Sequence, residues 1–357
     1  MAGPQPFTTP RSVFLTGHTG FKGTWLSHWL AELGCPLTGF ALPPDPCSLF
    51  EQTQATRKFV KSVHGDIQSA DAVKQALIEA SPEVVIHFAA QPLVRQSYRA
   101  PTETWSVNVL GTINLLEAVR LCPSVKAVLI VTTDKCYENK EWAWGYRESD
   151  PLGGHDPYRA SKAGAEIATS SYRASFFSTQ GPLIATARAG NVIGGGDWSV
   201  DRIIPDAARA MMNGGELVVR NPQATRPWQH VLDCLSGYLT LVDKLLLGDR
   251  HFAKAYNFGP AVSDNLPVAD LLALIAANWP GLRWTTLDAE GRRENPHEAN
   301  YLYLDSSLAR QELGWTPGWD LKQASAAVGE WYGSFIADSR SAEAMTMKQL
   351  ESYLAGR

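Results

Sequence analysis

The chain has no CxxC pair, no long apolar run and no surplus of positive charge, and each absence excludes a class of function. Its five cysteines stand at 35, 47, 122, 136 and 234. An odd count without close spacing points to free thiols in a reducing compartment. The eight histidines never recur three to five residues apart, so no helical zinc pair and no metal is expected. No apolar stretch approaches the roughly 18 residues needed to cross a bilayer. The opening residues MAGPQPFTTPRS lack the apolar core of a signal peptide. The expectation is a cytoplasmic protein without a membrane partner. With 32 basic and 36 acidic side chains, net −4, nothing suggests a general nucleic-acid binder.

What remains is globular: 45% hydrophobic and 19% charged over 357 residues, enough for about two domains. Short β-branched runs alternate with amphipathic segments in the first two-thirds. Strands are predicted at 12–16, 37–41, 61–64, 84–88, 127–132 and 183–188, and helices at 20–33, 70–80, 102–121 and 158–178. Val84–Phe88 and Ala127–Thr132 are continuously apolar, as strands covered on both faces must be. The alternation predicts an α/β fold, a doubly wound parallel (Rossmann) sheet. After residue 190 short strands and helices mix, at 217–220, 231–247, 255–258 and 268–278. We read residues 1–190 as a dinucleotide-binding domain. Residues 191–357 are read as a smaller α+β substrate lobe, some of whose segments return to the first domain. The segment Glu138–Pro157, rich in Trp, Gly and charge, reads as a long loop of functional weight or mobility.

Thr16-Gly17-His18-Thr19-Gly20-Phe21-Lys22-Gly23 joins the first strand to the first helix. Glycines at this spacing let backbone approach a pyrophosphate, and the helix N-terminus offers free N–H groups to the anion. Gly65-Asp66-Ile67 follows the third strand. Asp66 there can accept from an adenine amino group while the Ile67 N–H donates to the ring; it can equally cap the helix at 70–80. The acid that holds cofactor ribose at the end of the second strand is missing. That strand runs out into Phe40-Ala41-Leu42-Pro43, with Asp45 farther on. No arginine replaces it to claim a 2′-phosphate, which favours NAD over NADP and predicts a loosely held cofactor.

Tyr158-Arg159-Ala160-Ser161-Lys162 places a tyrosine and a lysine on one helix face. A nearby ammonium stabilises a phenolate, so Tyr158 is expected to have its pKa lowered toward neutrality and to serve as a base. The strand before that helix ends Thr132-Thr133-Asp134-Lys135-Cys136-Tyr137. Strand C-termini face the ligand crevice in such folds; without that context Asp134 and Lys135 read as a surface turn.

Together these residues resemble the extended short-chain dehydrogenase/reductase family over most of the chain. Thr133-Asp134-Lys135 is similar to the Thr-Asp-Glu triplet of its nucleotide-sugar 4,6-dehydratases, with Lys for Glu. HFAAQ (87–91), TTDKCY (132–137), RAGNVIGGGDW (188–198), RNPQATRPWQHV (220–231) and PHEA (296–299) resemble the CDP-glucose-specific branch. The resemblance implies a hydro-lyase that converts CDP-D-glucose to CDP-4-keto-6-deoxy-D-glucose, a precursor of dideoxysugars in surface polysaccharide. It implies that Tyr158 takes the 4-hydroxyl proton while Lys162 holds the nicotinamide ribose and tunes Tyr158. Thr133 would bond the 4-oxygen, Asp134 protonate the leaving 6-hydroxyl, and Lys135 remove the C5 proton. Burial and the charges of Lys162 and the nicotinamide would lower the Lys135 pKa. Cofactor contacts fall to Gly17, Thr19, Gly20, Phe21, Lys22, Gly23, Asp66, Ile67, Phe88, Ala89 and Ala90. Substrate contacts fall to Gln91, Asn191, Arg202, Arg226, Arg293 and His297. The family's pairing of two long helices per subunit implies a homodimer or homotetramer. The alternatives are another nucleotide-sugar 4,6-dehydratase or a 4-epimerase.

Overall fold

The computed structural model describes residues 10–286 and 302–356. Seven parallel strands form one sheet, in the spatial order β10-β6-β5-β4-β1-β2-β3. They are β1 (Val13–Thr16), β2 (Leu37–Ala41), β3 (Lys61–His64), β4 (Val84–His87), β5 (Ala127–Val131), β6 (Leu183–Ala189) and β10 (Ala255–Phe258). The inner strands β4, β5 and β6 are buried along their whole length, and the outermost β3 is half exposed.

Side-chain alternation splits the core between the two faces. Val13, Leu15, Ile86 and Leu129 join one cluster, with Trp25 and Trp29 of α1 (Phe21–Glu32). Phe14, Val85, Val128 and Ile184 join the other, beneath α2 (Ala70–Ala80) and α3 (Gly111–Arg120). The Rossmann expectation holds, and every strand expected in the sheet is found there within two residues of its expected ends.

The helix expected over 102–121 is interrupted. An α-turn at Pro101–Trp105 widens into a π-turn at Ser106–Leu110 before α3 continues. Such widenings displace one side chain from the helical stripe. Here Asn108 bonds the Gln91 backbone on both sides, accepting from its N–H at 2.8 Å and donating to its C=O at 3.1 Å. Its amide also donates to Ser161 Oγ at 2.8 Å. Ser161 lies on α4 (Pro157–Phe176), which starts because Asp156 caps the Arg159 N–H and Pro157 occupies the first turn.

Beyond residue 190 stand helix α5 (Ile203–Met212) and two small sheets. One holds β7 (Asn191–Ile193), β9 (Thr225–His230) and β11 (Asn265–Pro267); the other pairs β8 (Leu217–Val219) with β12 (Trp284–Thr286). Strand β10 and helix α6 (Val231–Leu246, between β9 and β10) belong instead to the large sheet: β10 is its edge beside β6, and α6 packs on β5 and β6. The loop after β5 is pinned. Tyr137 bridges Leu152, Tyr146 bridges Leu304, and the rings of Trp144, Trp142 and Tyr146 lie tilted in series with centroids 5.2 Å apart. All five cysteines are free. No helix of the described residues is long and apolar enough to cross a membrane.

Candidate active site

A cavity of about 690 Å³ runs along the C-terminal ends of the parallel strands into the second lobe. Gly17, Thr19, Gly20, Phe21, Lys22 and Gly23 line one stretch of it. Gly17 has φ +70°, and a Cβ there would sit 2.7 Å from the Ala89 nitrogen. A Cβ on Gly23 would meet the Gly17 carbonyl oxygen at 2.3 Å. No side chain caps the start of α1, and its first turn carries no acid. Its N–H groups thus face the cavity as an anion cradle, and the residues present fit a dinucleotide pyrophosphate.

Asp66, Ile67, Phe88, Ala89 and Ala90 continue the wall. Asp66 does not cap α2; its Oδ1 accepts from the Gln68 N–H at 2.9 Å, and Ser69 stands at the cap position. Asp45 accepts from the Cys47 N–H at 2.8 Å and takes no part in the wall, whereas Leu42 does. The second strand therefore brings no carboxylate to the cavity. Beneath the wall, His87 is fully buried between Thr16 and Thr112, at 2.7 and 3.2 Å. Burial, with Lys162 nearby, drives its pKa down to about 3, which keeps the ring neutral.

Thr133, Lys135, Tyr158 and Lys162 all reach the same wall. Lys135 Nζ lies 3.2 Å from Asp134 Oδ1 and donates to Asn191 Oδ1 at 3.3 Å. Burial lowers the Lys135 pKa; Asp134 opposes that shift, and Arg159 and Arg226 reinforce it. The direction is the expected one, but the reinforcing cations are these two arginines and not Lys162.

Two expectations need correction. Tyr158 is not tuned downward in the protein alone. Burial pushes its pKa up to about 12, against the opposing pull of Arg202 and a hydrogen bond with Thr133. Lys162 does not enter that balance, because its Nζ turns toward the Val131 carbonyl at 3.4 Å. Asp134 is wholly buried and does not line the cavity. Its Oδ1 accepts from Thr133 Oγ1 at 2.9 Å and from Lys135, while Oδ2 has no partner among the described residues.

Of the expected substrate contacts, Asn191, Arg202 and Arg226 line the cavity. Arg202 is paired with Asp197 at 2.9 Å, and Arg226 donates to the Thr225 carbonyl at 2.8 Å. Gln91 does not line it. Its amide is engaged by the Leu93 backbone and Thr104 Oγ1, which braces the loop after β4. Arg293, His297 and the PHEA stretch lie outside the described residues.

Lys162 gives a stability prediction. Burial, reinforced by Lys22, lowers its pKa to about 8 from 10.5. Between those values the unfolded chain binds more protons at this site than the folded one, so stability rises with pH across that window. Below pH 8 the full cost applies, on the order of 3 kcal/mol. Lys162→Met is expected to raise the urea midpoint at pH 7 without added ligand, and the gain should shrink toward pH 10. A gain that is constant with pH, or a loss at pH 7, contradicts this.

Reasoning from sequence missed Glu166, one turn beyond Lys162, and gave Arg188 only a place at a strand end. They form a buried ion pair at 2.8 Å. The signal available was an acid at i+4 from the lysine on a helix face already known to be buried.

A family model described as GDP-mannose 4,6 dehydratase matches residues 14–327. A CDP-glucose 4,6-dehydratase of Salmonella typhimurium is 45% identical, with 92% of each chain covered. A dTDP-glucose 4,6-dehydratase of Streptomyces antibioticus is 31% identical over 90% of this chain and 92% of its own. Among solved structures, the UDP-glucuronic acid 4-epimerase of Bacillus cereus superposes with TM-score 0.76 at 20% identity, covering 91% of this chain and 99% of the other. The dTDP-glucose 4,6-dehydratase DesIV of Streptomyces venezuelae gives 0.72 at 23%, covering 90% and 97%. With the model spanning most of the chain, the protein belongs to the GDP-mannose 4,6 dehydratase family.

Proposed function

We propose that the chain is a hydro-lyase that dehydrates CDP-D-glucose to CDP-4-keto-6-deoxy-D-glucose, with NAD as a recycled cofactor. The observation that carries this reading is that Thr133 and Lys135 share one cavity wall with Tyr158, with Lys135 Nζ between the buried Asp134 and Asn191. The relative of that specificity at 45% identity supports the choice of sugar nucleotide. The glycine turn, Asp66 and Phe88–Ala90 would hold NAD, which would supply a reversible two-electron acceptor and a positive charge.

Tyr158 takes the 4-hydroxyl proton, and Thr133 holds the 4-oxygen. The ketone at C4 acidifies C5–H, and a neutral Lys135 removes that proton. Its burial beside Arg159 and Arg226 favours the neutral form. Asp134 supplies the proton for the leaving 6-hydroxyl. Since Asp134 does not line the cavity, that proton reaches the sugar through Thr133 Oγ1, which takes the Asp134 proton as it passes on its own. Asn191, Arg202 and Arg226 face the sugar diphosphate from the second lobe, and Arg293 and His297 are assigned to the same nucleotide.

Trp105, Leu110, Ile167 and Phe176 are 42 to 59% exposed on the helical run 101–120 and on α4. That apolar surface supports a homodimer or a dimer of dimers, and the reaction's soluble reactants suit a cytoplasmic setting.

The test is a product assay. CDP-glucose with added NAD, quenched in alkali, should develop the absorbance of a 4-keto sugar. dTDP-, GDP- and UDP-sugars should give little. Without added NAD the purified chain should lose most of its turnover, because β2 offers the ribose no acid. Turnover of another sugar nucleotide in preference, or a product that keeps its 6-hydroxyl, sinks the reading.

A further inference from the structure

Six residues outside the catalytic set form a network at the reacting turn, built on one buried ion pair. The turn Thr133–Cys136 is bounded by Thr132 and Tyr137. Thr132 Oγ1 donates to Glu166 Oε1 through a short hydrogen bond. Glu166 Oε2 accepts from Thr186 Oγ1 and from Arg188 Nη2, each at 2.8 Å. Arg188 Nη1 donates at 2.8 Å to the Tyr137 hydroxyl, which in turn donates to Asn257 Oδ1 at 2.7 Å. Both residues flanking the turn are therefore fastened to the same two side chains, each less than 5% exposed.

We propose that the Glu166–Arg188 pair is the positioning element of the reacting turn, holding its two ends so that Lys135 stays aimed at the sugar C5. The inference rests on the functional reading above and assigns roles to residues which that reading leaves unused. Neither Glu166 nor Arg188 lines the cavity, so both act through Thr132 and Tyr137. The turn is a single 3-10 turn, capped by Thr133 Oγ1 accepting from the Lys135 N–H at 3.4 Å. Backbone bonds from the Thr132 N–H to the Ala187 carbonyl at 2.9 Å and from the Gly153 N–H to the Cys136 carbonyl at 2.8 Å hold the same ends, and the Glu166–Arg188 pair is their side-chain tie. Tyr158, by contrast, sits in the first turn of the 20-residue α4, about two turns before Glu166 on the same helix, and its place is set by the helix backbone. The two halves of the reaction are thus unequally sensitive. Oxidation at C4 draws on Tyr158 of the helix and, from the turn, on Thr133 alone, while elimination across C5–C6 draws on the turn throughout. Loosening the pair should slow elimination selectively.

The experiment compares the full-length parent with Glu166→Gln, using CDP-glucose deuterated at C4 or at C5, with saturating NAD. A misplacement of about 1 Å costs up to 10²-fold. The variant should therefore lose about 10- to 100-fold in kcat with KM little changed. Its isotope effect on kcat from C5 deuterium should rise while that from C4 deuterium falls. A merely structural role would lower the active fraction and leave both isotope effects as in the parent; that result overturns the proposal, as does an unchanged kcat. If Glu166→Gln does not fold, Tyr137→Phe carries the test, since it removes only the hydroxyl at the other end of the turn; the same shift in isotope effects is expected, and its absence is fatal. A parent that turns over no CDP-glucose overturns the functional reading and this inference together, whereas an active parent with unmoved variants overturns the inference alone.

Discussion

Tyr158→Phe is expected to lower kcat by about 10²- to 10⁴-fold, the range lost when a positioned acid–base group is removed. Cofactor and sugar nucleotide should still bind. The reason is geometric. Tyr158 is 7% exposed, bonds to Thr133 and faces the cavity at the start of α4. The phenyl ring fits the same space, so the change removes one oxygen and little packing. Burial holds the free phenol up to about 12. Lys162 is turned away from it, so activating the hydroxyl takes positive charge on the cavity side beyond the pull that Arg202 already exerts. Isothermal titration with NAD, alongside the product assay, separates loss of chemistry from loss of binding. A variant that keeps a tenth or more of parental kcat (a loss of only about tenfold, below the range for such groups) would remove Tyr158 from its role.

Lys135→Met should be comparably severe, again about 10²- to 10⁴-fold in kcat, but with a different signature. The C5 hydrogen should no longer exchange with deuterated solvent, since no group on the wall replaces the amine at that position. Oxidation at C4 should persist, because Tyr158 and Thr133 are untouched. The methionine side chain is close in length and keeps the apolar contacts of the lysine stem. It also leaves Asp134 buried without the amine at 3.2 Å. Removing one partner of a buried hydrogen bond is destabilising, so folded fraction must be measured beside activity. Retained C5 exchange in a well-folded variant would show that Lys135 is not the base.

How far the chain could be read before its structure was known differed by feature. β4 and β5 were legible because runs such as Val84–His87 and Ala127–Val131 have no polar face to present to water. The glycine turn was legible because Gly17 and Gly23 stand where backbone atoms leave no room for a Cβ. The π-turn at Ser106–Leu110 was not, since one extra residue barely disturbs an apolar stripe; its effect is seen only in where Asn108 points. Tyr158 was misjudged because the motif shows a neighbouring charge and hides the burial that outweighs it. Asp134 and Gln91 were assigned by motif to a surface they do not reach. Whether a side chain faces a cavity depends on packing contributed by distant segments, and spacing along the chain does not carry that information. Glu166 was overlooked for the same reason: its partners are Thr132, just past the end of β5, and Thr186 and Arg188 of β6.

The place of β10 at the edge of the large sheet bears on how the protein is made. Its neighbour β6, seven buried residues ending at Ala189, is synthesised some 65 residues before Ala255 begins β10. At roughly 5–20 residues per second, a ribosome takes about 3–13 s to cover that interval. Throughout it the nascent chain carries an apolar strand with one open hydrogen-bonding edge, and α6, which roofs β5 and β6, emerges only late in the same interval. Such an edge is a template for pairing with another chain. The division near residue 190 is thus no boundary for folding: a fragment that stops there keeps its edge open permanently, and the complete chain closes it only when the second half arrives.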